Sequence, residues 1–163
     1  MMKQVESALL VLLMLSSTAA AQPADYPGPY TAEVVRVLDA DTFRARVKIW
    51  PTLTVLASVR LRGVDTPEKG FRARCEMERA AAERATRHVR SLLPPGTRVR
   101  LQDVRLGKYA GRIIATVRVR RHGRWYDLSR LLIRRGLGRG YDGGHRKGWC
   151  PPPRSIGKED RLR

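Results

Sequence analysis

Thr42-Phe43-Arg44-Ala45-Arg46-Val47-Lys48-Ile49-Trp50 alternates without a break. Phe43, Ala45, Val47 and Ile49 fall on one face and Arg44, Arg46 and Lys48 on the other, the period of two that marks a half-buried strand. Pro51-Thr52 interrupts the run, and a second alternation follows. In it Val55, Ala57, Val59 and Leu61 point one way, which leaves Arg60 and Arg62 on the opposite face. Upstream, Tyr30 to Leu38 is rich in Val and reads as a strand, with Ala40-Asp41 as the turn into the alternating run. The domain therefore starts with three consecutive strands, two of them basic on one face.

Downstream the period changes. From Cys75 to Leu93, Met77, Ala81, Ala85, Val89 and Leu92 recur at helical spacing, and Pro94-Pro95-Gly96 stops the helix. Thr97 to Val104 and Arg112 to Arg120 are two further strands, the second with Ile113, Ala115, Val117 and Val119 on one face. His122-Gly123 reads as a turn, and Asp127 is placed to cap a short helix carrying Leu128, Leu131 and Leu132, with Gly136 just past its end. Three strands, a helix and two strands is the element order of an OB-fold. The expectation is mainly β with α: a five-stranded OB-fold barrel, its helix between strands three and four, and a further short helix after strand five. Other small mixed folds share this order. In an OB-fold the nucleic-acid surface includes strands two and three, the strands that carry the basic faces here.

With 163 residues the chain has room for one domain plus tails. Its 33 Lys+Arg against 15 Asp+Glu give a formal net charge of +18, so the expected partner is a polyanion. The apolar residues arrive in periodic runs, which excludes a disordered polycation. Residues 1–21 read as a signal peptide: the apolar run Ala8 to Leu15 is too short to cross a bilayer and is followed by small residues, with cleavage after Ala21. A Pro-rich lead-in (22–29), the domain (30–142) and a Gly/Pro-rich basic tail (143–163) follow, the tail with little regular structure. The expected location is secreted or periplasmic, with no membrane anchor after cleavage and a monomeric state. In an oxidising compartment Cys75 and Cys150 can pair, which would tie the tail back onto the domain; two unpaired thiols are the alternative.

Acidic residues are scarce, and two clusters of them sit at strand ends: Asp39-Ala40-Asp41-Thr42, and Asp65-Thr66-Pro67-Glu68. Asp39 alone reads as a turn residue. Asp41 and Asp65 together, brought close by neighbouring strands, suit a hard cation such as calcium bound through oxygen. The three histidines (His88, His122 and His145) are scattered and lack soft-metal ligand spacing. Arg60, five residues before Asp65, and Arg112, which opens the fifth strand, gain weight from these acids, because guanidinium groups fork onto phosphate oxygens. Gly138-Arg-Gly140-Tyr-Asp-Gly143 fits the dinucleotide-binding glycine pattern but follows a helix and precedes Pro151-Pro152-Pro153, so it reads as a flexible loop.

Asp-Ala-Asp-Thr (39–42), Arg60-Leu-Arg-Gly-Val-Asp-Thr-Pro-Glu68 and Lys108-Tyr-Ala-Gly-Arg112 resemble, in order, the three signature segments of the staphylococcal nuclease (thermonuclease) family. The resemblance runs from about Glu33 to Tyr141 and takes in the Ala-rich helix and Leu131 to Leu137. It implies a calcium-dependent phosphodiesterase, an endonuclease-type hydrolase acting on DNA and RNA. By position, Asp41 and Asp65 would ligate Ca2+ with the Thr66 carbonyl, Glu68 would act as general base or orient the attacking water, and Arg60 and Arg112 would hold the phosphate. Lys108, Tyr109 and Tyr141 are the weaker nucleotide-binding positions: Ala110 is inserted within the Lys-Tyr-Gly-Arg pattern, and the spacing of Tyr141 from Gly136 is one residue short. The family's C-terminal helix has no counterpart in the tail. Two other readings are a non-catalytic OB-fold module that binds nucleic acid through charge, and a cationic protein acting on anionic membranes. The second expects an amphipathic basic helix, whereas Glu76, Glu78 and Glu83 interrupt the 76–92 segment.

Overall fold

The computed structural model describes residues 25–152. The expected signal peptide, residues 22–24 of the lead-in and residues 153–163 of the tail lie outside the described residues. The chain is mainly β with helices α1 (Glu76–Leu92) and α2 (Leu128–Arg134). Five strands make the main sheet with a sixth at its end: β1 (Tyr30–Asp39), β2 (Thr42–Trp50), β3 (Leu53–Leu61), β5 (Arg98–Leu106), β6 (Arg112–Arg121) and β7 (Arg124–Asp127). Their order is β3-β2-β1-β5-β6-β7, antiparallel throughout. β3 also pairs in parallel with β6, from Ser58 opposite Arg112 to Leu61 opposite Ala115, so the pairing of five strands returns on itself.

The alternation at 42–50 does its expected work in the core. Phe43, Ala45 and Val47 are buried with Ala57, Val59 and Leu61 of β3 and Ala115, Val117 and Val119 of β6. α1 contributes Ala85 and Val89 to the same core, and α2 contributes Leu128 and Leu132. Asp127 caps α2 as expected, its side chain accepting from the Arg130 amide at 3.1 Å. Gly136 closes the helix with a φ of 66°, a left-handed backbone that glycine adopts without steric cost.

Three expectations are corrected. Ile49 and Val55 are exposed rather than facing the core. β2 beyond Val47 pairs only with β3, and β3 before Ser58 pairs only with β2, so this hairpin end projects past the ring with Trp50, Leu53 and Leu56. The buried stripe of α1 is Glu78, Ala82, Ala85, Thr86 and Val89, turned by one residue in its first half from the expected one, and Met77 faces out. In the lead-in, Asp25 takes both carboxylate contacts from Arg62 at 2.8 Å, and Tyr26 bridges to Val104. Finally, the glycine pattern at 138–143 is no loose loop. β8 (Arg139–Gly140) pairs with β4 (Val64–Asp65), and a Cβ on Gly138 would lie 2.6 Å from Val64 Cγ2. β7 and this two-stranded sheet are additions to the five-strand pattern.

Candidate functional site

The two acidic clusters meet at one end of the sheet. Asp41 sits in the β1–β2 turn and Arg60 near the end of β3, directly across from Thr42 in the strand register. Past β3 the chain turns at Gly63, whose φ is 79°, and β4 delivers Asp65 and then Thr66. The Thr66 hydroxyl donates to Asp41 Oδ2 at 3.1 Å, which ties the clusters together, and the Thr42 hydroxyl donates to Asp41 Oδ1 at 2.8 Å. Asp41, Asp65 and Thr66 are all buried. β6 brings Arg112 alongside through its parallel pairing with β3. Asp41, Arg60, Thr66, Glu68 and Arg112 then line one concavity of about 310 Å³. Asp65 opens onto an adjoining one of about 240 Å³ that shares Thr66 and Glu68.

The loop between Thr66 and α1 is held by a buried glutamate. Glu78 turns inward from the first turns of α1 and accepts the Glu68 amide at 3.2 Å and the Arg74 amide at 2.8 Å. Buried carboxylates are costly unless hydrogen-bonded, and these amides supply the partners. This inward turn accounts for the shifted stripe of α1.

Arg60 forms a salt bridge with Asp41, both side chains largely out of solvent, and reaches the Val64 carbonyl at 3.4 Å. Burial alone would push the Asp41 carboxyl up, but the Arg60 guanidinium and neighbouring hydrogen bonds outweigh it and hold the group below the usual carboxylate range. Asp39 goes the other way. Burial, reinforced by the Asp41 charge, raises it from 3.8 to about 6. Between those values the folded chain keeps a proton that the unfolded chain has released. The contribution of Asp39 to stability is therefore fully present below 3.8 and is lost as pH rises through about 6. Denaturant melts in a chelating buffer should show Asp39→Asn gaining stability relative to the parent as pH rises from 4 to 7. A difference that does not change with pH would refute the assignment.

Three residues of the site escaped the sequence reading: Glu78, Arg146 and Trp149. Arg146 Nε lies 3.2 Å from Asp65 Oδ1, and its Nη1 lies 2.7 Å from Glu68 Oε1. Trp149 donates its indole N–H to Asp65 Oδ2 at 3.2 Å. Cys75 and Cys150 form a disulfide, the pairing expected of the two cysteines. That bridge was the available signal, because it lands the tail beside the helix that follows Asp65 to Glu68. The weaker nucleotide positions come together: Lys108, Tyr109 and Tyr141 line one concavity beside the site, and Tyr109 also lines that of Asp41, Glu68 and Arg112. Tyr109 is exposed with the Arg112 guanidinium 5.1 Å over its ring, and exposed Lys108 lines the shared basic concavity, of about 640 Å³, with Arg105 and Tyr141. Tyr141 is engaged within the tail, donating its hydroxyl to the Gly144 carbonyl at 3.0 Å.

The donor set suits a hard cation in its chemistry. Asp41 and Asp65 offer carboxylate oxygens, and Asp65 Oδ1 is buried without a hydrogen-bond donor, since the nearby Arg146 Nε is not aligned with it. The carboxylates do not, however, converge as a ready-made cage; each is met by a guanidinium. Among the described residues the grouped ligand-type side chains are Cys75, Glu78 and Cys150, and their two sulfurs are joined to each other, so they offer no thiolates. The chain matches no protein-family model and no curated protein.

Proposed function

We propose that the chain is an exported, calcium-dependent nuclease with an OB-fold of the staphylococcal nuclease type, hydrolysing phosphodiester bonds of DNA and RNA. The observation that carries this reading is the meeting of Asp41, Arg60, Glu68 and Arg112, distant in sequence, around one concavity with Asp65 beside it. The ring of five paired strands supports the barrel, and the disulfide is in keeping with an oxidising compartment. Calcium would be held by Asp41 and Asp65 with help from the Thr66 carbonyl, and when bound supplies polarisation of a phosphoryl oxygen. Glu68 takes the proton of the attacking water as its oxygen bonds to phosphorus; the ester P–O bond on the opposite side breaks, and the leaving alkoxide takes up a proton from solvent. Arg60 and Arg112 meet the negative charge that builds on the remaining phosphate oxygens. The basic residues around the concavity bring the polyanion in, and that binding weakens with salt.

Purified chain, assayed on single-stranded DNA with calcium and with a chelator, is expected to cut only in calcium. Glu68→Gln should lower the rate about 100-fold or more, the usual scale for a positioned general base. Salt-sensitive binding with no cleavage in either condition would replace the nuclease by a non-catalytic nucleic-acid-binding module.

A further inference from the structure

After α2 the chain runs back across the site as a strap, and its anchors can be followed one by one. β8 pairs with β4, placing Arg139 opposite Asp65 itself. The Tyr141 amide donates to the Gly63 carbonyl at 3.2 Å. Arg139 donates to the Gly148 carbonyl at 2.9 Å and lies 3.7 Å over the Trp149 ring. Trp149 holds Asp65 Oδ2, and Cys150 is joined to Cys75 at the N-terminal end of α1. Between these anchors stands Arg146, over the Tyr141 ring at 5.4 Å, with one guanidinium shared by Asp65 and Glu68.

We propose that Arg146 is a resident counter-ion, which a divalent cation must displace from Asp65 and Glu68, and that the bridged strap 141–150 sets how readily it gives way. The proposal rests on reading Asp65 as a cation ligand and Glu68 as the group that handles water. The Arg146 guanidinium is hydrogen-bonded to Glu68 and lies as an unaligned charge against Asp65 Oδ1, and a positive charge fixed there repels an arriving cation. The side chain of Arg146 is 42% exposed, so it has solvent to move into. The strap is pinned at β8 on one side and at Cys150 on the other, so a displaced guanidinium stays close and returns at high effective concentration. Arg146 thus fixes the cation level at which the carboxylates become available, a property that Asp41, Asp65 and Glu68 alone do not determine.

Calcium binding to the full chain, followed by titration calorimetry, tests this without reference to cleavage. If the closed arrangement holds about nine-tenths of the molecules, Arg146→Gln should tighten calcium binding roughly 10-fold. Arg146→Lys, which keeps the charge but loses the fork, should fall between Gln and the parent. A Cys75→Ser/Cys150→Ser variant should also bind more tightly, by a smaller factor, because its strap loses the covalent anchor and keeps only the contacts of Gly148 and Trp149 at that end. Equal or weaker binding by Arg146→Gln, with Arg146→Lys giving the same result, would overturn the proposal. So would the absence of calcium binding at millimolar levels in every form. In that last case parallel DNA-cleavage assays separate the two ideas: cleavage that persists in calcium spares the nuclease reading and removes only the role given to Arg146.

Discussion

Replacing Arg60 by alanine is expected to cost about 3–5 kcal/mol of stability, the usual scale for leaving one charge of a buried pair alone. If the proposed nuclease reading holds, it should also lower cleavage roughly 100-fold or more through loss of a phosphate donor. The first effect follows from the salt bridge with Asp41: without the guanidinium, a carboxylate buried beside Asp39 keeps its desolvation and loses the charge that offsets it. Asp41→Asn placed in the Arg60→Ala background should recover most of the stability and none of the cleavage. Binding to DNA at low salt should persist, because Arg105, Lys108 and Arg112 still line the neighbouring surface. Denaturant melts, a gel-shift titration and a cleavage assay on the same three proteins separate these outcomes. A stability loss under about 1 kcal/mol would mean that the pair is solvated in solution. Loss of binding together with cleavage would place Arg60 in the general binding surface.

Reducing the Cys75–Cys150 bridge should cost about 4 kcal/mol in the chain-entropy account, because the linked residues are 75 apart in sequence. Melts of oxidised and reduced protein measure it, with the Cys75→Ser/Cys150→Ser variant as a control that reducing agent should not affect. The loss should be accompanied by greater mobility around Asp65, since the bridge secures Trp149 and Arg146 as well as the tail. Alkylation of two thiols in the unreduced native protein would sink the prediction at once.

Most of the sheet was legible because strand alternation is a local signal. Phe43, Ala45, Val59 and Val117 announce their burial through neighbours two residues away. Ile49 and Val55 carry the same local signal and are exposed, because exposure there depends on where β1 and β6 stop pairing, which no local window contains. Glu78 misled for a related reason. A glutamate is ordinarily a surface residue, and only the loop amides of Glu68 and Arg74 make its burial favourable. The acids and arginines of the site stood out as scarce acids at strand ends in a basic chain. Arg146 was one cation among many, and nothing within its own segment distinguishes it. Its role comes from partners 78 and 81 positions away, Glu68 and Asp65, found only once β4 and β8 are paired.

The pairing of β4 with β8 also imposes an order in time. Asp41, Arg60 and Glu68 are synthesised in the first half of the chain, yet the sheet that frames Asp65 waits for residues 139–140, and Trp149 and Cys150 come later still. A chain that has folded its strands but not yet docked its last segment would hold acids and arginines in an unframed cleft. The surroundings of Asp65 and Glu68 are thus completed by residues near the far end of the described chain, not by the strands that carry the two acids.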